Sequence, residues 1–520
     1  MKFNLMFLLS AMIILSSCSY DIEKYNIYDE NYAQNNAGSD DEGSDDDGDD
    51  DDDVITVSSV AELINYISQD DVNVKMTAGI YYVDNTSLMS KYDLLAHDNT
   101  LESAYAVTSA TSSNVYNVTS LLNFSGSRST FDLTGVYIYF NTKNFTTMGS
   151  VRIFLVAVSG HESELKGLQF ICYGDDTEDD PYYPQDSAVT CAVHGVSNTL
   201  TDVRIESKGS YPYGYGSHYG LNDSQYELVD IHKQTTMLIS GSNTHLDGCT
   251  VRARAFGHGI AIQGAQNTLI EDCLVQGDVR SNDDIIDIDP LGLVALTNQH
   301  SESYLDGIMA RGDMCSLSED GIRTYANAAS YSTTDTGNVT VKNTTVKHMR
   351  RGYMLEFATS ATMTIDGCTS IGNIEVGFMI SSNTTITNCV GDALYGPLLS
   401  NSYNRNSGYA QVELMADEPE DTRFSPDRLV EIAGSNNVIV LSNYNGQKRV
   451  NELPITFGES YYYDHNGSNS PVAKSTKLTT TTGMPIVITN GSSSNTIYTN
   501  NMDVTETNAG SGNTWTLIEE

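Results

Sequence analysis

His258, Arg323 and Arg351 are side chains that can move a proton or grip an anion, and each stands in the same six-residue frame. The frame is x-Gly-apolar-x-apolar-x, filled by His258-Gly259-Ile260-Ala261-Ile262-Gln263 and by Asp320-Gly321-Ile322-Arg323-Thr324-Tyr325. It recurs as Arg351-Gly352-Tyr353-Met354-Leu355-Glu356 and Val376-Gly377-Phe378-Met379-Ile380-Ser381. If each frame is a strand, the third and fifth positions face a core and the others face water. Stacked strands then file His258, Asp320 and Arg351 together, with Gln263, Arg323, Tyr325 and Glu356 beside them. His232 and Lys233 lead into the preceding strand, and Arg252, Arg254, Arg311 and Arg350 lie close by in the chain. This concentrates cations in a protein with 68 acidic and 27 basic residues and a net charge of −41. A cationic groove on an anionic protein suits an anionic ligand held by bidentate arginines.

The residue types narrow the chemistry. Eliminating across the bond beside a carboxylate requires a cation on that carboxylate, a base for the neighbouring proton and an acid for the departing oxygen. Arg323 and Arg351 fit the first role, Lys233 or His258 the second, and Tyr325 or Tyr353 the third. A lysine acting as base needs a lowered pKa, which neighbouring arginines favour. His232, Arg252, Arg254, Gln263, Asp320, Arg350 and Glu356 then bind substrate. Tyr215 and His218, in the tyrosine-rich loop 211–220, form one wall of the groove or simply pack on the body. Hydrolysis would instead use two carboxylates, Asp320 and Glu356, with Glu319 as a further candidate. Arginines around them favour ionisation of both, whereas a general acid must keep its proton. The third possibility is a surface that binds an acidic glycan without turning it over. Asp283, Asp284, Asp287 and Asp289 crowd one loop, where hard oxygen ligands suit calcium or where the charges are simply solvated.

The elements that position these residues show in a repeat. "MLISGSNTHLDGCTV", "IAIQGAQNTLIEDCLV", "MLEFATSATMTIDGCTS" and "FMISSNTTITNCVG" share an alternating strand, a Gly/Ser/Asn turn, a second short alternating strand, and Asp or Asn ahead of a cysteine. At least nine such coils of roughly 20–25 residues are visible, a period belonging to solenoids. One coil cannot bury a face alone, but stacked coils bury a continuous core. The expected fold is therefore all-β, a right-handed parallel β-helix, with a helix over 59–68 capping its first coil. Cys249, Cys273, Cys368 and Cys389 occupy equivalent places, which reads as a ladder of small buried side chains; a disulfide is the alternative.

Residues 1–17 form a short apolar leader, too short to remain as a spanning helix. Residues 39–53 hold eleven acidic side chains and no apolar one, so 18–53 is expected to be an unfolded tether and 54–520 the β-helix domain. Without the run the net charge is still about −30, so nucleic acid is not expected as a partner. A monomer is expected.

Three resemblances add to this. Leu15-Ser16-Ser17-Cys18 resembles a bacterial lipoprotein signal, which would lipidate Cys18 and anchor the chain to a membrane without a spanning segment. With Ser19, Asp21 and Glu23 behind it, the segment looks like a Bacteroidetes-type lipoprotein of the outer membrane, displayed at the cell surface. The helix at 59–68 followed by "VNVKMTAGIYYV" is similar to the cap of pectate-lyase-like proteins. "GHGIAIQG" at 257–264 resembles the Gly-His-Gly strand of polygalacturonases, and "GIRTYA" at 321–326 their Arg-Ile-Lys strand. The paired catalytic aspartates of those enzymes are missing, since His232-Lys233-Gln234 stands in the corresponding region. The resemblance thus implies the superfamily and leaves hydrolysis in doubt. Polysaccharide lyases and epimerases of the same architecture work with Lys, Arg, His and Tyr, often with calcium, on acidic polysaccharides or oligosaccharides.

Overall fold

Alternating apolar residues, punctuated by turns that demand a left-handed backbone, wind the chain into stacked coils. The computed structural model describes residues 54–83, 105–108, 115–142, 144, 152–174, 188–209, 234–281, 314–325, 335–355, 361–401, 406–416, 428–449, 452–458 and 471–519. A typical coil contributes three strands, here Ile260–Gln263, Thr268–Glu271 and Leu274–Gln276. Equivalent strands pair in parallel from coil to coil, giving three ladders. The first and second, running through Thr268–Glu271 and Leu274–Gln276, belong to a sheet of 23 strands; the third, through Ile260–Gln263, is a sheet of 14. This is the expected all-β parallel β-helix.

The repeat has a physical cause. Thr250 pairs with Leu274, and His245 with Leu269, so one coil is 24 residues at this point. The residue before each repeated cysteine turns the chain between the first and second ladders and has positive φ: Gly248 62°, Asp272 53°, Gly367 65° and Asn388 54°. Glycine, Asn and Asp tolerate that conformation best. All four cysteines are buried, unpaired thiols, with Cys172 and Cys191 likewise. Cys249 Sγ donates to Leu200 O at 3.3 Å and Cys368 Sγ to Val341 O at 3.5 Å, carbonyls of preceding coils. The ladder, and not a disulfide, is what these positions hold.

The cap is shorter than expected. Only Val60–Leu63 is helical, with Ser59 Oγ accepting from Glu62 N at 3.2 Å. Beyond the helix, Asn65, Tyr66 and Gln69 donate three residues back, with Ile67 alone reaching four back to Leu63 O, and Ile67 O accepts from Ser125 N and Gly126 N of the next coil. The segment still buries Val60, Leu63, Ile64 and Ile67 over the end of the core.

Between Ala188–Val193 and Ile455–Phe457 the 14-stranded sheet is largely buried on both faces. Inward residues such as Ile260, Ile322 and Phe378 join the main core, while Phe154, Ala157, Val189, Ala192, Leu238 and Ala261 form a separate cluster on the outward face. Met354, Val376 and Met379 form another. The expectation that outward positions meet water fails here. Strands such as Arg152–Val158, RIFLVAV, are almost continuously apolar, the pattern of a sheet covered on both sides.

Candidate functional site

The third ladder stacks the six-residue frames in the expected register. Ile260 pairs with Ile322, Ile322 with Tyr353 and Tyr353 with Phe378, so third positions align in the core. Outward, Ala261 pairs with Arg323 and Arg323 with Met354, Gln263 pairs with Tyr325, and Asp320 pairs with Arg351. Gly259 N donates to Asp320 O at 2.9 Å, which draws His258 over the next coil. One residue earlier, Gly257, Glu319, Arg350 and Glu375 are joined by backbone hydrogen bonds of 2.8, 2.9 and 2.7 Å. The corner before the sheet therefore carries an acidic pair, Glu319 and Asp320, beneath a basic pair, Arg350 and Arg351, with Glu375 above.

Asp320 is the hub, fully buried. Arg351 grips it through Nε to Oδ1 at 2.5 Å and Nη2 to Oδ2 at 3.2 Å, and Arg323 Nη1 reaches Oδ2 at 2.9 Å. Arg350 Nε donates to Glu375 Oε2 at 2.6 Å. His258 Nδ1 lies 3.5 Å from Asp320 Oδ2, and its Nε2 lies 3.3 Å from Glu319 Oε2 and 2.5 Å from the Tyr325 hydroxyl. The Arg323 guanidinium stands over the Tyr325 ring, 4.9 Å from its centroid. Asp320 thus pairs with Arg351 and Arg323 and Glu375 with Arg350, while His258, itself 2% exposed, stands between Asp320, Glu319 and Tyr325.

Burial alone would raise the pKa of Asp320, but Arg351, Arg323 and His258 outweigh it and hold the carboxyl well below the usual range. Burial and the Glu319 charge push the Tyr325 phenol well above its ordinary value, against the opposing pull of Arg323. Asp320 stays ionised and Tyr325 stays protonated at neutral pH.

Several sequence expectations need correction. Tyr353 faces the core, stacked on Phe378 at 5.0 Å, with its hydroxyl donating to Thr344 O and Thr369 O, so no departing oxygen reaches it. Arg350, Arg351 and Asp320 are 1%, 4% and 0% exposed and bind each other or Glu375, so they brace the site and line no open groove. Gln263 is likewise buried, beside Tyr325. Arg252 and Arg254 belong to the strand Thr250–Arg254 of the second ladder, a different sheet, where Arg254 Nε binds Asp278 at 2.9 Å. Glu375 escaped the sequence reading because Val376, after it, fills the frame's first position; stacking above Arg350 was its only signal. Cys18, Tyr215, His218, His232, Lys233, Asp283, Asp284, Asp287, Asp289, Arg311 and Glu356 lie outside the described residues. Among the described residues no group of three or more His, Cys, Asp or Glu side chains is placed to hold a metal ion.

No protein-family model matches the chain, and no curated protein matches its sequence. Among solved structures, it is similar to a family 6 polysaccharide lyase for alginate in complex with a trisaccharide, at 11% identity and a TM-score of 0.40, over 89% of this chain and 85% of that one. A mannuronic-acid-specific family 6 polysaccharide lyase from human gut microbiota matches at 10% identity and a TM-score of 0.37, over 90% and 87%. The Dettilon tailspike protein matches at 10% identity and a TM-score of 0.35, over 88% and 68%.

Proposed function

We propose that the protein cleaves an acidic, uronate-containing polysaccharide or oligosaccharide by β-elimination. The observation that carries this reading is the 2.5 Å contact between His258 Nε2 and the Tyr325 hydroxyl beneath the Arg323 guanidinium. It joins a base, an acid and a carboxylate anchor within one corner of the sheet, and Arg323 is the most exposed arginine of the network at 16%.

The step balances with these groups alone. The mechanism uses the His258 tautomer with the proton on Nδ1, 3.5 Å from Asp320 Oδ2, which gives up the hydrogen bond that Nδ1 accepts from Asp320 N at 3.4 Å and leaves Nε2 unprotonated. Nε2 takes the proton beside the uronate carboxylate, whose developing negative charge Arg323 stabilises. The electron pair forms the ring double bond and the glycosidic C–O bond breaks. Tyr325, kept protonated by burial, gives its proton to the departing oxygen, and Nε2–H then returns one to the phenolate. Asp320 fixes the imidazole and does not itself titrate, which speaks against its use as a hydrolytic acid.

His258→Ala and Tyr325→Phe are each expected to lower turnover by about 10²-fold or more, read as absorbance near about 235 nm from the unsaturated product. Undiminished product from either variant would remove the dyad; new reducing ends without absorbance would indicate hydrolysis. A binding-only reading is favoured by one observation, the pairing of Arg350 and Arg351 with internal carboxylates. Retention on polyuronate with no product from the wild type would establish it. The leader supports a further part of the proposal, display at the outer membrane through a lipid on Cys18; fatty-acid labelling that survives Cys18→Ser would exclude it.

A further inference from the structure

The outward face of the second ladder contains a second arrangement, distinct from the His258 corner. Register defines one file of outward residues running along the stack: Tyr82 pairs with Tyr139, Tyr139 with Ile171, Ile171 with Glu206, Glu206 with Arg252, Arg252 with Gln276 and Gln276 with Lys347. Its first part is aromatic. Tyr82, 57% exposed, stacks on Tyr139 at 5.5 Å, and Tyr173 meets both rings edge-on at 6.2 and 6.0 Å.

Its second part is cationic and incompletely neutralised. Glu206 receives Arg204 at 2.8 Å and Arg254 at 3.3 Å, and Asp278 receives Arg254 at 2.9 Å. Arg252 stands 3.9 and 3.7 Å from the same carboxylates, beyond hydrogen-bond range, and its buried Nε has no partner. Lys347 follows two coils later in the same file and belongs to none of these ion pairs. Burial, and then the Arg252 charge, hold Lys347 below the usual lysine range. Two cations that repel across an intervening glutamine form a seat for an anion.

We propose that this face is a polymer-binding track for an acidic polysaccharide, with a uronate carboxylate seated between Arg252 and Lys347 and a sugar ring lying against the exposed Tyr82 of the tyrosine cluster. Tyrosine rings offer apolar faces with a polar tip, which suits a pyranose. Three coil rises, about 14 Å, separate Tyr139 from Arg252, so one oligosaccharide of a few units spans both parts. Nucleic acid fits less well, because Glu206 and Asp278 would face its dense phosphates, whereas they can accept hydrogen bonds from sugar hydroxyls. The track does not depend on any reaction at His258.

Full-length protein is run through native gels containing polygalacturonate, alginate, hyaluronan or neutral dextran. Wild type is expected to be retarded by at least one polyuronate and not by dextran, with the effect falling as salt rises. Arg252→Gln combined with Lys347→Gln should weaken that retardation about tenfold, and Tyr82→Ala, at an exposed position that folding does not need, about threefold. His258→Ala should be retarded like wild type even if it abolishes turnover, which separates the track from the reaction. The proposal is overturned if no polyuronate retards the wild type, or if the variants, shown folded by unchanged melting temperature, are retarded equally. It is also overturned if single-stranded DNA binds in a manner dependent on Arg252 and Lys347 while polyuronates do not.

Discussion

The outward faces of the third and second ladders use the same kinds of side chain, arginine beside carboxylate beside tyrosine, to different ends. On the third ladder Asp320 is fully buried and held by Arg351 and Arg323, and Arg350 and Glu375 are each 1% exposed. On the second, Arg252 and Arg254 are 24% and 29% exposed and share Glu206 and Asp278 at unequal distances. Enclosed charges must satisfy each other, because the desolvation cost of a lone one is several kcal/mol. Half-exposed charges can remain partly unsatisfied, and that residue of attraction is what a ligand uses. The difference teaches that an arginine offers an anion only what its own carboxylates and its enclosure leave over: Arg323 at 16% and Arg252 at 24% keep an open side, whereas Arg350 and Arg351 do not.

Three measurements sharpen the contrast. The largest effect is expected from Asp320→Asn, which leaves Arg351 and Arg323 enclosed without their common partner and should cost about 3–5 kcal/mol in denaturant unfolding. A cost comparable to a surface change would mean that the third-ladder network is as open as the second. Next, acid should act in two stages. His194 and His348 are held down to about 4, His194 by burial and His348 by burial and then Lys347. Their stabilising contribution is full above the unfolded histidine value of about 6.5 and is lost as pH falls from there through about 4. Asp320, also depressed, contributes fully above the unfolded aspartate value of about 3.9 and is lost only as pH falls further. Urea midpoints followed against pH should fall first in the histidine window, and His194→Gln with His348→Gln should flatten that first stage; an unchanged slope would contradict the assignment. The smallest effect is expected from Arg252→Ala, within about 1 kcal/mol of wild type, although the same change weakens glycan retention.

The architecture was readable because its cause is local. A left-handed residue before four of the buried cysteines and a glycine near the start of four third-ladder strands recur at coil spacing, so register followed from alignment, as the pairing of Ile260, Ile322, Tyr353 and Phe378 bears out. Depth was less readable. Alternation separates inside from outside of the tube but does not say whether the outside is covered; the unbroken IFLVAV of 153–158 was the available sign. Tyr353 was misplaced because a phenol suggests a polar setting, yet two core carbonyls satisfy it. Arg252 and Arg254 lie within six residues of His258 in the chain, but a corner turns them onto another sheet.

The buried thiols have one more consequence. Only the thiolate attacks an alkylating reagent, and burial pushes Cys191 up to about 12 and Cys172 higher still. Buried in the core, each of the six sulfurs is a sealed clock that starts when its own turn of the tube breathes. From Cys172 near one end to Cys389 well along the axis, the rate of mass gain at each would chart, rung by rung, where the tube first loosens.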